Sequence, residues 1–158
     1  MMRRHDRAVT GLRDIEGILL GCKTCHLAMI DEGTPYVVPL SFGYTITDSE
    51  ELELYFHSSP EGKKLDVLHQ NNKVCFDISC EGELIRSENP CGYGYRYASV
   101  IGFGEAFFVD DIEEKCRALS AIFKQQAQKD VLFSAEQARG VCVFKIVSTD
   151  YVGKQKSA

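Results

Sequence analysis

The chain has 158 residues, of which 44% are hydrophobic and 26% charged, and its formal net charge is −5. That length suits one domain with one core, and the mixture is globular rather than disordered. The acidic balance argues against a nucleic-acid binder, which needs clustered Lys and Arg to neutralise phosphates.

Residues 1–8 are polar and basic and are expected to form a flexible arm on a single domain spanning 1–158. They lack the apolar run of a secretory signal. No stretch approaches the roughly 20 apolar residues that cross a bilayer, so no membrane partner is expected. The cysteines number seven. An odd count without a secretory signal implies free thiols in a reducing cytoplasm rather than a disulfide frame. Cys22-Lys23-Thr24-Cys25 has the C-x-x-C spacing, but no second pair at zinc-ribbon spacing accompanies it, and no metal site is expected. A redox role there would need one thiol of lowered pKa.

In chain order, Arg13 to Gly21 carries Ile15, Ile18 and Leu19 on one helical stripe. Thr24 to Ile30 follows as a strand, and Asp31-Glu32-Gly33-Thr34 as a hairpin turn. Pro35 to Tyr44 is expected to be one strand of two unlike faces. Tyr36, Val38, Leu40, Phe42 and Tyr44 share one parity; Val37, Pro39, Ser41 and Gly43 share the other. The large set fills a core, and the small set leaves room for something flat. Pro39 cannot donate to a ladder and implies an edge or a bulge. Glu51 to His57 is a strand with Leu52, Leu54 and Phe56 inward. Ser59 as N-cap and Pro60 at the first helical position predict a helix to about Asn71. Lys73 to Cys80 is a strand, 81–94 a loop, Tyr95 to Val109 a long strand. A helix capped by Asp110 or Asp111 follows to about Lys129, then a last strand from Gly140 to Val152. About six strands and three or four helices fit an antiparallel barrel with packed helices better than a βαβ array.

The chemistry concentrates after His57. Ser58 and Ser59 offer hydroxyls, and Lys63 and Lys64 stand in the first turn of a helix, where the dipole disfavours cations unless an anion binds. Free N–H groups, hydroxyls and lysines together make a phosphate cradle; a solvated helix start is the alternative. His57 ends the strand feeding this turn and can pack on a ring or hydrogen-bond a substrate. Tyr93-Gly94-Tyr95-Arg96-Tyr97 mixes aromatics with Arg and is either a stacking surface or a barrel rim. The motifs of dinucleotide folds, P-loops, serine hydrolases and zincins do not occur.

Several ordered segments carry a resemblance. They are Met2-Arg3-Arg4, Pro35-Tyr36-Val37-Val38-Pro39-Leu40, Tyr55-Phe56-His57-Ser58 with Glu61-Gly62-Lys63-Lys64-Leu65-Asp66, Gly94-Tyr95-Arg96-Tyr97 with Ser99-Val100-Ile101-Gly102 and Gly104, and Gly153-Lys154. Together they resemble the nitroimidazole-resistance (Nim) branch of the pyridoxamine 5'-phosphate oxidase-like proteins. The resemblance implies a mainly β protein with flanking helices, an FMN-binding split β-barrel, assembled as a homodimer with FMN between subunits. It implies that Val38, Pro39, Leu40 and Ser41 run beside the flavin ring. It further implies that Ser58, Lys63 and Lys64 hold the phosphate, that His57 is the catalytic residue and sits near the flavin and the substrate pocket as a cofactor contact too, and that Ser99 contacts the flavin. The expected function is an FMN-dependent oxidoreductase that reduces small electron-poor molecules such as nitroaromatics, with NAD(P)H or another donor. The rivals are a flavin-binding module without turnover, and a haem or tetrapyrrole binder with His57 or His69 as ligand.

Overall fold

The computed structural model describes residues 5–156. Its elements are β1 (Ala8–Val9), α1 (Leu12–Gly21), β2 (Thr24–Asp31), β3 (Thr34–Ser41), β4 (Gly43–Ile46), β5 (Leu52–Ser58), α2 (Lys63–Gln70), β6 (Lys73–Ile85), β7 (Gly94–Phe108), α3 (Ile112–Ala127), α4 (Ala135–Arg139) and β8 (Cys142–Lys156). Every ladder is antiparallel. The strands form one sheet in the order β3-β2-β6-β7-β8-β5-β4, with β1 added on β8.

The first and last strands of that order are neighbours in the chain, separated only by Phe42, which is fully buried. The β4–β5 ladder pairs Gly43 with Tyr55 and Tyr44 with Leu54; continuing that register sets Ser41 against His57. The sheet therefore curls until its two ends share one bent strand, the split barrel that the resemblance implied. The bend corrects the single strand expected from Pro35 to Tyr44. It falls where Gly43 passes under α3: a Cβ there would stand 2.3 Å from the backbone nitrogen of Ile122.

Alternation along the strands sorts the core. Tyr36, Val38 and Leu40 of β3 pack inward, while Val37, Pro39 and Ser41 are exposed. Leu52, Leu54 and Phe56 of β5 are fully buried, with Phe56 stacked on Phe144 at 5.1 Å between centroids. α1 docks through Ile15, Ile18 and Leu19, as its stripe predicted, and α2 contributes Leu65, Val67 and Leu68 to the same core. α3 builds a second, smaller core with Leu119 and Ile122 against Tyr55 and Val143. The β2–β3 turn has both central residues at positive φ, 47° at Glu32 and 83° at Gly33, whose twist suits a two-residue hairpin.

Three boundaries differ from the sequence expectation. α2 starts at Lys63, capped by Gly62 at φ 145°, so Ser59 and Pro60 lie in the connection and cap nothing. Glycine tolerates that backbone and the chain reverses there, which overrides the Ser-Pro signal. β6 continues through the expected loop to Ile85 because Leu84 and Ile85 pair with Tyr95 and Gly94 across a bulge. β8 likewise runs beyond Val152 to Lys156, held by Tyr97 and Ala98. Asp111 is the α3 cap, its carboxylate accepting from Glu114 N at 2.8 Å. The described part of the expected arm is partly fixed, since Ala8 pairs with Lys154. Met2-Arg3-Arg4 of the resemblance lies outside the described residues.

Candidate cofactor site

β3 is the edge of the sheet order, so one side of its backbone has no neighbouring strand and keeps N–H and C=O groups to offer. Only Pro39 and Ser41 of the expected flavin contacts present side chains outward. Val38 and Leu40 point into the core and can meet a ligand through main chain alone. Beside Pro39 on the outer face stand His26 of β2 and then Asp77 of β6. His26 Nδ1 lies 3.7 Å from Asp77 Oδ2, which also accepts from Ser79 Oγ at 3.0 Å. Sequence reasoning missed this pair. Its signal was parity, since His26 sits between buried Cys25 and Leu27.

At the start of α2 the N–H groups of Lys63 and Lys64 precede the first intrahelical acceptor. Leu65 N and Asp66 N already return to the Gly62 carbonyl at 2.9 and 3.3 Å. Lys63 Nζ is engaged by Asp31 Oδ2 at 2.7 Å and lies 4.9 Å over the Tyr36 ring. The hydrogen bond to Asp31 raises the pKa of that amine. This contact ties α2 to the β2–β3 hairpin and leaves Lys64 as the less committed cation.

Ser58 is buried, and its hydroxyl has no hydrogen-bond partner. An orphaned buried hydroxyl costs about 1–3 kcal/mol, a debt that a bound oxyanion would cancel. Ser58 pairs with Cys142 of β8, so their side chains share one face. Burial pushes the Cys142 thiol up, against the pull of Lys115 and Lys64. Cys142 also lines a cavity of about 310 Å³ with Pro60, Asp110, Lys115 and Arg139. Cys142 thus links the Ser58 strand position to the charges of Lys64 and Lys115, and the cavity beside it adds Arg139 and Asp110. Lys115 and Arg139 come from α3 and α4, distant in sequence, and no local motif marks them.

His57 points the other way from Ser58. It is exposed and lines a second cavity, of about 400 Å³, with Ser41, Phe123, Gln126, Phe133 and Gln137. Phe123 and Phe133 meet edge to face at 6.0 Å. The cavity is a slot with aromatic walls and one imidazole. Ser99 is not brought to this strip: it lies on β7 between Ser79 and Lys154 and lines a third cavity. His69 stacks on Phe108 at 4.0 Å. Burial, the largest cause in both, pushes the Cys22 and Cys25 thiols upward, which removes the lowered pKa that a redox role for this pair required. All seven cysteines are free thiols.

Behind the His57 cavity, Lys145 of β8 bridges Glu53 of β5 and Glu114 of α3, each at 2.8 Å, and Tyr55 Oη donates to Glu53 at 2.5 Å. Burial alone would raise the Glu53 carboxyl, but the hydrogen bonds from Lys145 and Tyr55 outweigh it and hold it below its ordinary value. A carboxyl depressed on folding stabilises fully above its unfolded pKa of about 4.3 and progressively less as pH falls through its folded value. Urea midpoints measured downward from pH 6 should therefore fall below about pH 4.3, and Glu53→Gln should flatten that limb. An identical acid limb in the variant would contradict the assignment.

A family model described as pyridoxamine 5'-phosphate oxidase matches residues 13–155. The chain belongs to that family. Among solved structures, a candidate 5-nitroimidazole antibiotic resistance protein from Bacteroides thetaiotaomicron is 35% identical over 94% of this chain and 86% of its own, at a TM-score of 0.79. That likeness agrees with the branch named by the sequence motifs. A flavocytochrome from Azotobacter vinelandii (18% identity, TM-score 0.80, 100% of this chain and 73% of its own) and an FAD-binding protein from Mesorhizobium loti (24%, 0.65, 96% and 98%) share the fold. A search of curated proteins found no match.

Proposed function

We propose that this family member binds FMN between two copies of the chain and reduces small electron-poor molecules such as nitroaromatics. The observation that carries the reading is the orphaned Ser58 hydroxyl, buried opposite Cys142, whose thiol feels the charges of Lys115 and Lys64. Ser58, Lys64 and the first amides of α2 would hold the phosphate, Lys63 reinforcing them, and the free edge of β3 at Val38–Ser41 would lie along the ring. The bound flavin supplies the electron chemistry. His57 orients the acceptor in its aromatic-walled slot and offers it an imidazole hydrogen bond. The homodimer rests on the outer sheet face, where Val37, Ile101 and Phe103 are 53%, 43% and 58% exposed. A second copy covers such a surface, and Ser99 then meets the partner's flavin.

Titration with FMN and with riboflavin, which lacks the phosphate, tests the cradle. Lys64→Ala and Ser58→Ala should each weaken FMN roughly tenfold to a hundredfold, as expected for one charge-assisted hydrogen bond, and riboflavin much less. The apo fold of Lys64→Ala should be unharmed, since a cation leaves the positive end of a helix. Equal losses for both ligands, or none, would refute the site. Light scattering on the same FMN-bound samples reports the assembly, and a monomer at micromolar concentration would refute the dimer. Bleaching by NAD(P)H with recovery by a nitroaromatic separates the enzyme from a binding module.

A further inference from the structure

A cavity of about 410 Å³ opens between α1, β4 and the C-terminal end of α3. Leu20, Tyr44, Ile46 and Ala121 give it apolar walls. It shares no lining residue with the His57 slot, and none of its lining residues belongs to β2, β3, β6 or β7. It therefore stands apart from the strand edge and the sheet face assigned above to flavin and dimer.

Its uncommitted polar groups are acceptors. Gln125 is buried, and its Nε2 donates to the carbonyls of Leu19 and Cys22. Only the amide's NH₂ can serve two carbonyls, which fixes its orientation and leaves Oε1 without a partner among the described residues. Among those residues Ser58 Oγ is the one wholly buried side-chain polar atom left unpaired, so Oε1 is reached from the cavity that Gln125 lines. Glu16 is exposed on α1 and, among the described residues, has no cation within salt-bridge distance. Its charge is felt at the Tyr44 phenol, which burial first and Glu16 second push up to about 12. Leu20 stands in the last turn of α1, and Lys124 and Gln125 in the last turn of α3, where a helix carries partial negative charge. The cations nearby are spent, Lys124 on Asp130 at 3.0 Å and Lys23 on the Gln125 backbone carbonyl. A free carboxylate, an unpaired amide oxygen and two helix C-termini favour a cation that brings N–H donors. The walls favour an apolar body attached to it.

We infer that this cavity binds a small primary amine, its ammonium held by Glu16 and Gln125 Oε1 and its apolar body against Leu20, Ile46 and Ala121. The site is independent of the flavin reading and draws on neither Ser58, the start of α2 nor His57.

Benzylamine, charged at neutral pH, is the probe. Benzyl alcohol is its uncharged counterpart, and benzyltrimethylammonium keeps the charge without N–H donors. The sample is the full chain, with and without FMN. Calorimetry should show one benzylamine per chain, bound at least about tenfold more tightly than either analogue and equally well with FMN present. Glu16→Gln should lose about tenfold in affinity. Leu20→Lys sets a like charge in the cavity at a half-exposed position and should abolish binding without lowering the melting temperature. Should the melting temperature fall, Glu16→Gln decides alone. No benzylamine binding up to millimolar concentration, equal affinity for either analogue, displacement by FMN, or full affinity in Glu16→Gln would overturn the assignment.

Discussion

Replacing Gly43 by alanine is expected to destabilise the domain by about 3 kcal/mol or more, at or beyond the upper range for overpacked sites. The added Cβ would stand 2.3 Å from Ile122 N, 2.5 Å from the Ala121 carbonyl carbon and 2.6 Å from Ile122 Cα. All three are backbone atoms inside α3, which cannot swing aside as a side-chain tip can. Either α3 lifts from β4 or the corner between β3 and β4 opens. The first outcome empties the second core of Leu119 and Ile122, and both deform the cavity holding His57. Urea unfolding followed by circular dichroism measures the loss. Gly17→Ala is the control: nothing lies within 4 Å of its added Cβ, and Gly17 is an exposed residue of α1. It should be neutral or gain up to about 1 kcal/mol from helix propensity. A Gly43→Ala variant as stable as the parent would show that α3 is not seated on the corner.

Gln125→Leu should cost about 1–3 kcal/mol despite conserving volume. Gln125 is 3% exposed, and its Nε2 donates to the carbonyls of Leu19 and Cys22, both at 2.7 Å. These are carbonyls at the end of α1; Leu19 O also accepts from the C-cap Cys22 N at 3.1 Å, so Cys22 O is the one that depends most on Gln125. Leucine removes the donor to Cys22 O and leaves Leu19 O with its Cys22 N partner alone, and a buried acceptor left unpaired costs about 1–3 kcal/mol. The Lys23 amine donates to the Gln125 backbone carbonyl and Gln126 Nε2 donates to the Lys23 carbonyl, so α3 is also pinned to the residue just before β2. Gln125→Glu should be worse than leucine at neutral pH, since a carboxylate would face two carbonyls. It should recover on acidification, when a protonated carboxyl can donate one hydrogen bond. Thermal melts across pH distinguish the three chains. A leucine variant within about 0.5 kcal/mol of the parent, the range of inert surface changes, would mean the pin contributes nothing.

What was legible in the sequence was local and periodic. The stripe on α1, the two faces of Thr34–Ser41, the turn at Gly33 and the cap at Asp111 all follow from side-chain periodicity or from one residue's backbone preference. The cradle was half legible. A hydroxyl followed by two lysines at a helix start is visible, but its helix boundary moved to Gly62, and Lys63 turned out to be held by Asp31. What was not legible depends on pairings between distant segments. The bend at Phe42 exists because α3 passes over Gly43, and β6 outlasts its apolar pattern because β7 pairs with it. Lys115 and Arg139 join Cys142 through tertiary packing, and Ser99 is set apart from β3 by the strand order. Each of these needed the whole topology, not a window of residues.

The strand order also sets a timetable. β8 is the last of the eight strands in the chain, yet it lies inside the sheet, between β5 and β7, with β1 beside its far half. Until it is made, β5 and the long β7 each expose an unpaired backbone edge with apolar side chains, and β1 has no partner. Without β8 the order falls into two parts, β3-β2-β6-β7 and β5-β4, joined only by their shared bend with a gap one strand wide between them. Such a gap is a template for the matching strand of a second nascent chain, so exchange of β8 between copies is the misassembly this topology invites.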